Sequence, residues 1–257
     1  VQIDILKQLM KDRFNEEITV DEGEVAYLET IKEPIEGVGH FEPLRHYSEV
    51  HLYLEPLPQG SGLVFENQCQ NNLEERYQNL IMTHLQEKEH LGVLTGSPIT
   101  DMKITLLGGK AHLKHTEGGD FREATYRAIR QGLKMAESVI LEPYYKYELV
   151  IPTEALSKVY YALEDYPTPI VVNENNDITT LHGEAPVLFL TRYQKELLTS
   201  TKGKGQLFFL DTFYAPVGNQ EEVMIKCDYD SESDLDNPTG SIFCSHGAGY
   251  YVPCDEV

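Results

Sequence analysis

The sequence predicts an α+β chain of more than one domain. Helical and strand periodicities alternate along most of its 257 residues. Residues 147–214 read in the order β-α-β-β-α-β, the split βαβ arrangement of ferredoxin-like folds. Proline and glycine punctuation at Pro34, Gly37 and Gly39, and again at Pro143, separates that unit from what precedes it.

Ile3 to Phe14 sets Ile5, Leu6, Leu9 and Met10 at helical spacing, and Asn15 is expected to break the helix. Ile18 to Val20 and Glu24 to Leu28 read as short strands. One helix and two strands cannot bury both sheet faces, so this stretch is expected to be part of a larger domain. Pro34 to Gly39 reads as a linker. Glu49 to Leu54 alternates, with Val50, Leu52 and Leu54 on one face. Pro56, Pro58, Gly60 and Gly62 form a turn, and Leu63 to Phe65 restarts a strand. Leu73 to Leu91 carries a helical stripe that includes Tyr77, Ile81, His84 and Leu85, with Gly92 as its expected stop. Met102 to Leu107 is a strand. Asp120, with Glu123 three residues on, is expected to cap a helix over Phe121 to Ser138.

Pro143 is expected to open a new unit. Tyr147 to Ile151 is a strand, and Thr153 is expected to cap a helix bearing Leu156, Val159, Tyr160 and Leu163. Ile170 to Val172 and Ile178 to Leu181 bracket a hairpin turn at residues 174–177. Val187 to Leu190 is expected to extend the sheet, Arg192 to Ser200 to form a short helix, and Gln206 to Tyr214 the last strand. Asp228 to Asp236 is acidic and poor in apolar residues and reads as a solvated loop or tail.

Composition narrows the function. The formal net charge of −21 opposes general nucleic-acid binding, because phosphates repel an acidic surface. The charge is uneven. Residues 101–135 hold seven Lys/Arg against four acids (+3), and residues 211–257 one Lys against ten (−9). A locally basic element on an acidic body suits selective contact with a nucleic-acid machine. No apolar run nears the roughly 20 residues that span a bilayer, and no signal peptide is visible, so a cytoplasmic location and no membrane partner are expected. Four cysteines in a chain this long do not read as a disulfide framework. The chain opens on Val1, which suggests a fragment or a processed piece.

The candidate site is a polar tip between the strand ending at Leu107 and the following helix. It comprises Lys114, His115, Thr116, Glu117, Gly118 and Gly119. Lys114 and His115 can hydrogen-bond phosphates or bases, and the glycines, read as a flexible pair, allow close backbone approach. The same residues are also what an ordinary strand-to-helix turn would hold. On the helix, Arg122, Arg127, Arg130 and Lys134 form a supporting basic set. At about 100° per residue, the last three share a face that can follow an RNA backbone or simply stay solvated. His84, on an apolar stripe, reads as a core or boundary residue.

No nucleophile–base arrangement stands out, and no catalytic residue is assigned. Cys227, Cys244, His246 and Cys254 contain a C-x-H pair but no C-x-x-C, so small buried thiols are preferred to zinc and no metal ligand is assigned. Asp228, Asp230, Glu232 and Asp234 alternate like calcium-loop ligands, but Ser233 and Thr239 stand where an EF-hand needs Gly and Glu.

Five ordered segments resemble elongation factor G and its relatives, the tetracycline-resistance ribosomal protection proteins. V-A-Y-L-E-T-I (25–31) resembles the end of the third domain. E-V-H-L-Y-L-E-P-L-P-Q-G-S-G-L-V-F (49–65) and G-V-L-T-G-S-P-I-T-D-M-K-I-T-L (92–106) are similar to the fourth. L-E-P-Y-Y-K-Y-E-L-V-I-P (141–152) and G-K-G-Q-L-F-F-L-D-T-F-Y (203–214) resemble the start and end of the fifth. The resemblance covers most of residues 3–214. The paired-Ser tip pattern of the translocase is absent, with H-T-E-G-G in its place, and D-F-R (120–122) is similar to the protection branch.

The resemblance implies a ferredoxin-like third domain ending at 36, a fourth domain like ribosomal protein S5 domain 2 over 37–140, a ferredoxin-like fifth domain over 141–215 and an acidic extension over 216–257. It implies a monomeric parent whose missing N-terminal domain binds GTP and Mg²⁺ and hydrolyses GTP on the ribosome. The fourth-domain tip would contact ribosomal RNA near the decoding centre, alongside ribosomal proteins, and dislodge tetracycline; no DNA partner is implied. This chain holds no G-x-x-x-x-G-K-[ST], because Gly109-Lys110 precedes Ala111 and Gly203-Lys204 precedes Gly205. No cofactor is therefore expected in it, nor enzyme activity. The rival readings are an elongation factor G-like translocation or stress factor, and, in another class, an acidic interaction module with a metal site in its tail.

Overall fold

The computed structural model describes residues 2–19, 23–70, 72–175 and 177–257. Two sheets organise it. Helix α1 (Gln2–Phe14) comes first and leaves the stripe residues Ile5, Leu6 and Leu9 exposed. No strand forms at 18–19 or 23–27, and Val20 lies outside the described residues. The first strand is instead β1 (Leu28–Ile31).

Next come β2 (Ile35–Phe41), β3 (Ser48–Pro56), β4 (Leu63–Asn67), α2 (Glu75–Gln86), β5 (Met102–Ala111) and α3 (Gly118–Met135). The stretch read as a linker is thus a strand. Its glycines serve the packing of helix on sheet: a Cβ on Gly39 would sit 2.5 Å from the Ala128 amide N, and one on Gly37 3.0 Å from Gly132 Cα. Apolar side chains on β3 and β5 meet the α3 stripe, so Val50, Leu52, Leu54, Ile104, Leu106, Phe121, Ala124 and Ala128 are fully buried. Helix α2 packs beside α3 and ends at Gln86, earlier than expected. Gly92 is not its cap. It lies against the buried Glu29 carboxylate, which accepts the Leu94 and Thr95 amides (3.0 and 2.8 Å) and the Thr95 hydroxyl (2.8 Å).

Strand β6 (Ser138–Pro152) runs unbroken through Pro143, which falls between the residues paired with β1 and those paired with β8 (Ile178–Pro186). Helix α4 (Leu156–Ala162), β7 (Ile170–Glu174), β8, α5 (Val187–Ser200) and β9 (Gln206–Pro216) complete the split βαβ unit. Its antiparallel order β9-β6-β8-β7 is that of a ferredoxin-like sheet, with β1 added to β6. Two local expectations fail. Thr153 bonds the Asn175 carbonyl and Thr179 rather than capping a helix. Val187 to Leu190 is the first turn of α5, because Pro186 ends β8 at the helix entry, where its missing N–H costs nothing.

Residues 228–236 are a mostly exposed loop without helix or strand, as expected, but the C-terminal segment around them is structured. It forms α6 (Gln220–Cys227) and a hairpin of β10 (Ser241–Ser245) and β11 (Ala248–Val252). The hairpin joins the first sheet, whose order is β11-β10-β2-β3-β5-β4. Within the acidic stretch Ser231 is buried.

Candidate functional site

Strand directions bring three loops to one end of the six-stranded sheet. Strand β5 runs into residues 112–117, β2 into 42–47, and β10, parallel to β2, into the turn at 246–247. A Cβ on Gly247 would lie 3.9 Å from Leu44, which places the hairpin turn against the second loop.

The expected tip residues are together, in a tighter structure than a flexible loop. The Thr116 hydroxyl donates to the Tyr47 carbonyl (2.6 Å) and accepts the His112 amide (2.7 Å). The Lys114 amide donates to His112 Nδ1 (3.2 Å), and the His112 and His115 rings stack at 4.5 Å. The helix begins one turn earlier than expected. Glu117 is the cap residue of a capping box, and Asp120 is its N3 partner, accepting the Glu117 amide (2.9 Å). Gly118 and Gly119 are therefore the first turn of α3. The buried Asp120 carboxylate also bonds His46 Nδ1 (2.7 Å), and Ser48 Oγ donates to its carbonyl (2.8 Å). These bonds fix the two loops to each other.

Sequence reasoning missed the large apolar side chain left most open to solvent. Leu113 is 98% exposed. An isolated leucine in a polar turn was the available signal. It also missed Leu44, Arg45, His46 and the hairpin turn, whose H-G-A-G between alternating segments was the cue.

The basic set on α3 is placed differently. Arg127, Arg130 and Lys134 do share a face, but the C-terminal segment covers it. Arg127 donates to the Gly240 carbonyl (2.8 Å), and burial lowers its pKa. Arg130 donates to the carbonyls of Asn237 (2.9 Å), Leu91 (3.0 Å) and Gly92 (2.6 Å) and to the Tyr229 hydroxyl (2.9 Å). Lys134 holds Ser231 (3.0 Å) and Glu232 (3.2 Å). Arg127 and Arg130 are buried in this internal clamp, while Lys134 stays exposed at its edge. Arg122 pairs with Glu87 (3.0 Å). That carboxylate also accepts from Tyr126 and His84, and the Tyr126 hydroxyl does most to pull its pKa down to about 2.

Behind the tip, on the sheet face away from α3, Glu49 sits between His40 (3.4 Å) and His51 (2.9 Å) and also accepts Lys110 (2.6 Å). The two imidazoles hold its carboxyl far below the usual range. His40 and His51 are raised in return. His51 gains most from Glu49; for His40 burial opposes the rise, and its bonds to Glu49 and Glu42 outweigh it. His84 is buried, as its stripe position implies. Gly109-Lys110 lies inside β5, and Gly203-Lys204 lies in a turn leading into a strand. Among the described residues, no three His, Cys, Asp or Glu side chains converge as a metal-ligand set.

Comparison with known proteins gives this arrangement its relatives. Residues 23–137 match elongation factor G, domain IV, and residues 139–223 match the elongation factor G C-terminus. The chain belongs to the elongation factor G family. Within it, the chain is 31% identical over 209 residues to the tetracycline resistance protein TetO of Campylobacter jejuni, covering 80% of this chain and 33% of that protein. It is 30% identical over 209 residues to the tetracycline resistance protein TetM from transposon Tn916 of Enterococcus faecalis, covering 79% and 32%. The chain thus spans about a third of the length of these relatives. A solved structure from Thermus thermophilus shares the fold, with a TM-score of 0.71 at 24% identity over 88% of this chain and 35% of that one. Strands β2 to β5 thus lie in the domain IV match and β6 to β9 chiefly in the C-terminal match, while β10 and β11 lie beyond both. No helix among the described residues is long and apolar enough to cross a membrane.

Proposed function

We propose that this chain is the ribosome-engaging part of a ribosomal protection protein of the tetracycline-resistance type. Its tip, residues 112–117, enters the decoding centre and displaces bound drug. GTP hydrolysis belongs to another domain of the parent, which works in the cytoplasm. The observation that carries the reading is the shape of the tip. A fully projecting Leu113, flanked by Lys114 and the stacked His112–His115 pair, stands on a capped helix and a long strand. That is a rigid probe with an apolar point and polar flanks. Its work is binding and steric displacement. The names of TetO and TetM support the drug.

The test uses the full reading frame that encodes this chain. Ribosomes carrying labelled tetracycline are mixed with the protein and GTP, and release is followed. Leu113→Asp with Lys114→Glu changes exposed side chains only. The expected result is loss of release with ribosome-dependent GTP hydrolysis retained. Release at the wild-type rate would remove the tip from the mechanism. Hydrolysis without release by the wild type would assign the protein to translocation or another translational task.

A further inference from the structure

Six rings from three distant parts of the chain form one continuous strip. Tyr250 lies 6.4 Å from Phe243, and Phe243 stacks on His40 at 4.1 Å and 8°. His40 meets Tyr47 edge-on at 5.3 Å, Tyr47 lies 6.3 Å from His112, and His112 stacks on His115 at 4.5 Å. The topology dictates the strip. Gly37 and Gly39 face α3, so the alternation of β2 turns His40 to the opposite face. Phe243 and Tyr250 are paired across the hairpin, which docks beside β2. Tyr250 is 49% exposed at one end, and His112 is exposed at the other.

The charge around the strip is the second observation. The loops and hairpin that frame it are residues 43–47, 107–116 and 239–253. These 30 residues contain no Asp or Glu, but hold Arg45, Lys110, Lys114 and four histidines, in a chain of net charge −21. Four acids border it: Glu42 bonds His40, Glu49 bonds His40, His51 and Lys110, Asp120 bonds His46, and Glu117 is the exposed cap residue of α3.

Exposed rings at the ends of the strip, Tyr250 and His112, joined through the buried His40 and set in an acid-poor surface with Arg45 and Lys114, are what unpaired nucleotides need. Bases stack on the rings while cations meet the phosphates, and a duplex, whose bases are already stacked, gains nothing from the rings. We propose that this strip, from the tip to the C-terminal hairpin, is a docking surface for single-stranded RNA, with Tyr250 as a base-stacking platform. The family matches end at residue 223, so they do not reach the hairpin. The choice of RNA rests on the ribosomal reading above.

The experiment measures binding of the 257-residue chain, at low salt, to a fluorescent oligoadenylate, an oligouridylate and an RNA duplex of equal length. The expected order is oligoadenylate over oligouridylate over duplex, because adenine stacks best. Tyr250→Ala weakens the oligoadenylate complex at least about fivefold, the lower end of what losing one stacked base costs. Tyr250→Phe keeps it, and both variants melt like the wild type. Equal affinity for single strand and duplex would overturn the proposal. So would a Tyr250→Ala chain that binds as well as wild type, or a surface that takes up no RNA. Ribosome co-sedimentation, scored separately with Leu113→Asp, distinguishes the two readings. Leu113-dependent ribosome binding with no Tyr250 effect on RNA sinks only the strip. Tyr250-dependent RNA binding by a chain that ignores ribosomes sinks only the ribosomal reading.

Discussion

Gly39→Ala should destabilise the protein severely, although it adds one methyl group. The new Cβ would overlap the Ala124 carbonyl O and sit 2.5 Å from the Ala128 amide N. Both are backbone atoms of α3, so no side chain can rotate away, and the helix must lift off the sheet. Overpacking into a dense core costs about 1–3 kcal/mol where side chains can yield. Here the displaced wall also carries Phe121, Ala124 and Ala128, all fully buried, so we expect about 3 kcal/mol or more. The control is Gly119→Ala, in the exposed first turn of α3, where a Cβ meets nothing within 4 Å. Alanine there should be neutral or stabilise by up to about 1 kcal/mol. Urea denaturation of both variants, read with unchanged m-values, measures the difference. A Gly39→Ala unfolding free energy within about 1 kcal/mol of wild type would refute close helix-on-sheet packing at this position.

Three further outcomes follow from the same contacts. Arg130→Met keeps the length of the side chain but leaves three carbonyls and the Tyr229 hydroxyl without their donor. It should cost about 3–5 kcal/mol or release the 228–240 segment, seen as faster amide exchange there; unchanged exchange and stability would refute the clamp. Glu29→Ala removes the acceptor of three hydrogen bonds in a buried site and should cost about 3–5 kcal/mol by thermal denaturation, so a loss under about 1 kcal/mol would count against it. The Glu49 cluster predicts a pH window. Glu49 is depressed below its ordinary 4.5, so its contribution is present above that pH and fades as pH falls through the folded value. His40 and His51 are raised above 6.5, so theirs is full below that pH and fades as pH rises through the folded values. With Glu36, Glu42 and Lys110 facing the same groups, the cluster stabilises most between 4.5 and 6.5. Unfolding free energies at about pH 6 and about pH 8.5 should differ, and the difference should shrink in His40→Gln/His51→Gln; equal values in the wild type would refute the coupling.

What the sequence disclosed follows local periodicity. Val50, Leu52 and Leu54 alternate because one face of β3 is buried, and that reading holds along the strand. Glycine is ambiguous: Gly37 and Gly39 signal either a turn or close packing, and only the position of α3, far along the chain, decides. Val187 to Leu190 is too short and apolar for period to separate strand from helix. Helical geometry correctly places Arg127, Arg130 and Lys134 on one face. Whether that face meets solvent depends on Tyr229, Asn237 and Gly240, much further downstream. The tip was legible as a polar turn, but its apex was not. Exposure at Leu113 depends on what the other loops leave uncovered, which no local pattern records.

Charge and topology together explain how an acidic chain could carry the proposed nucleic-acid site. A net charge of −21 spread evenly would repel phosphate from every direction. Here acids crowd the segment 228–236, where part of their charge meets Arg130 and Lys134, while the loops and hairpin at the sheet end carry almost none. The sheet topology does the sorting. It brings three segments nearly free of acids to one end and leaves the acidic ones on the flanks. For an anionic partner, the body then repels while the sheet end attracts, so only one approach is favourable. Negative charge away from the site thereby selects orientation, and the few cations at the tip need supply only the local contact. In this light the arginines of α3 act at a distance. By holding residues 229–240 they fix the start of β10, and with it the position of Phe243 and Tyr250 beside the tip.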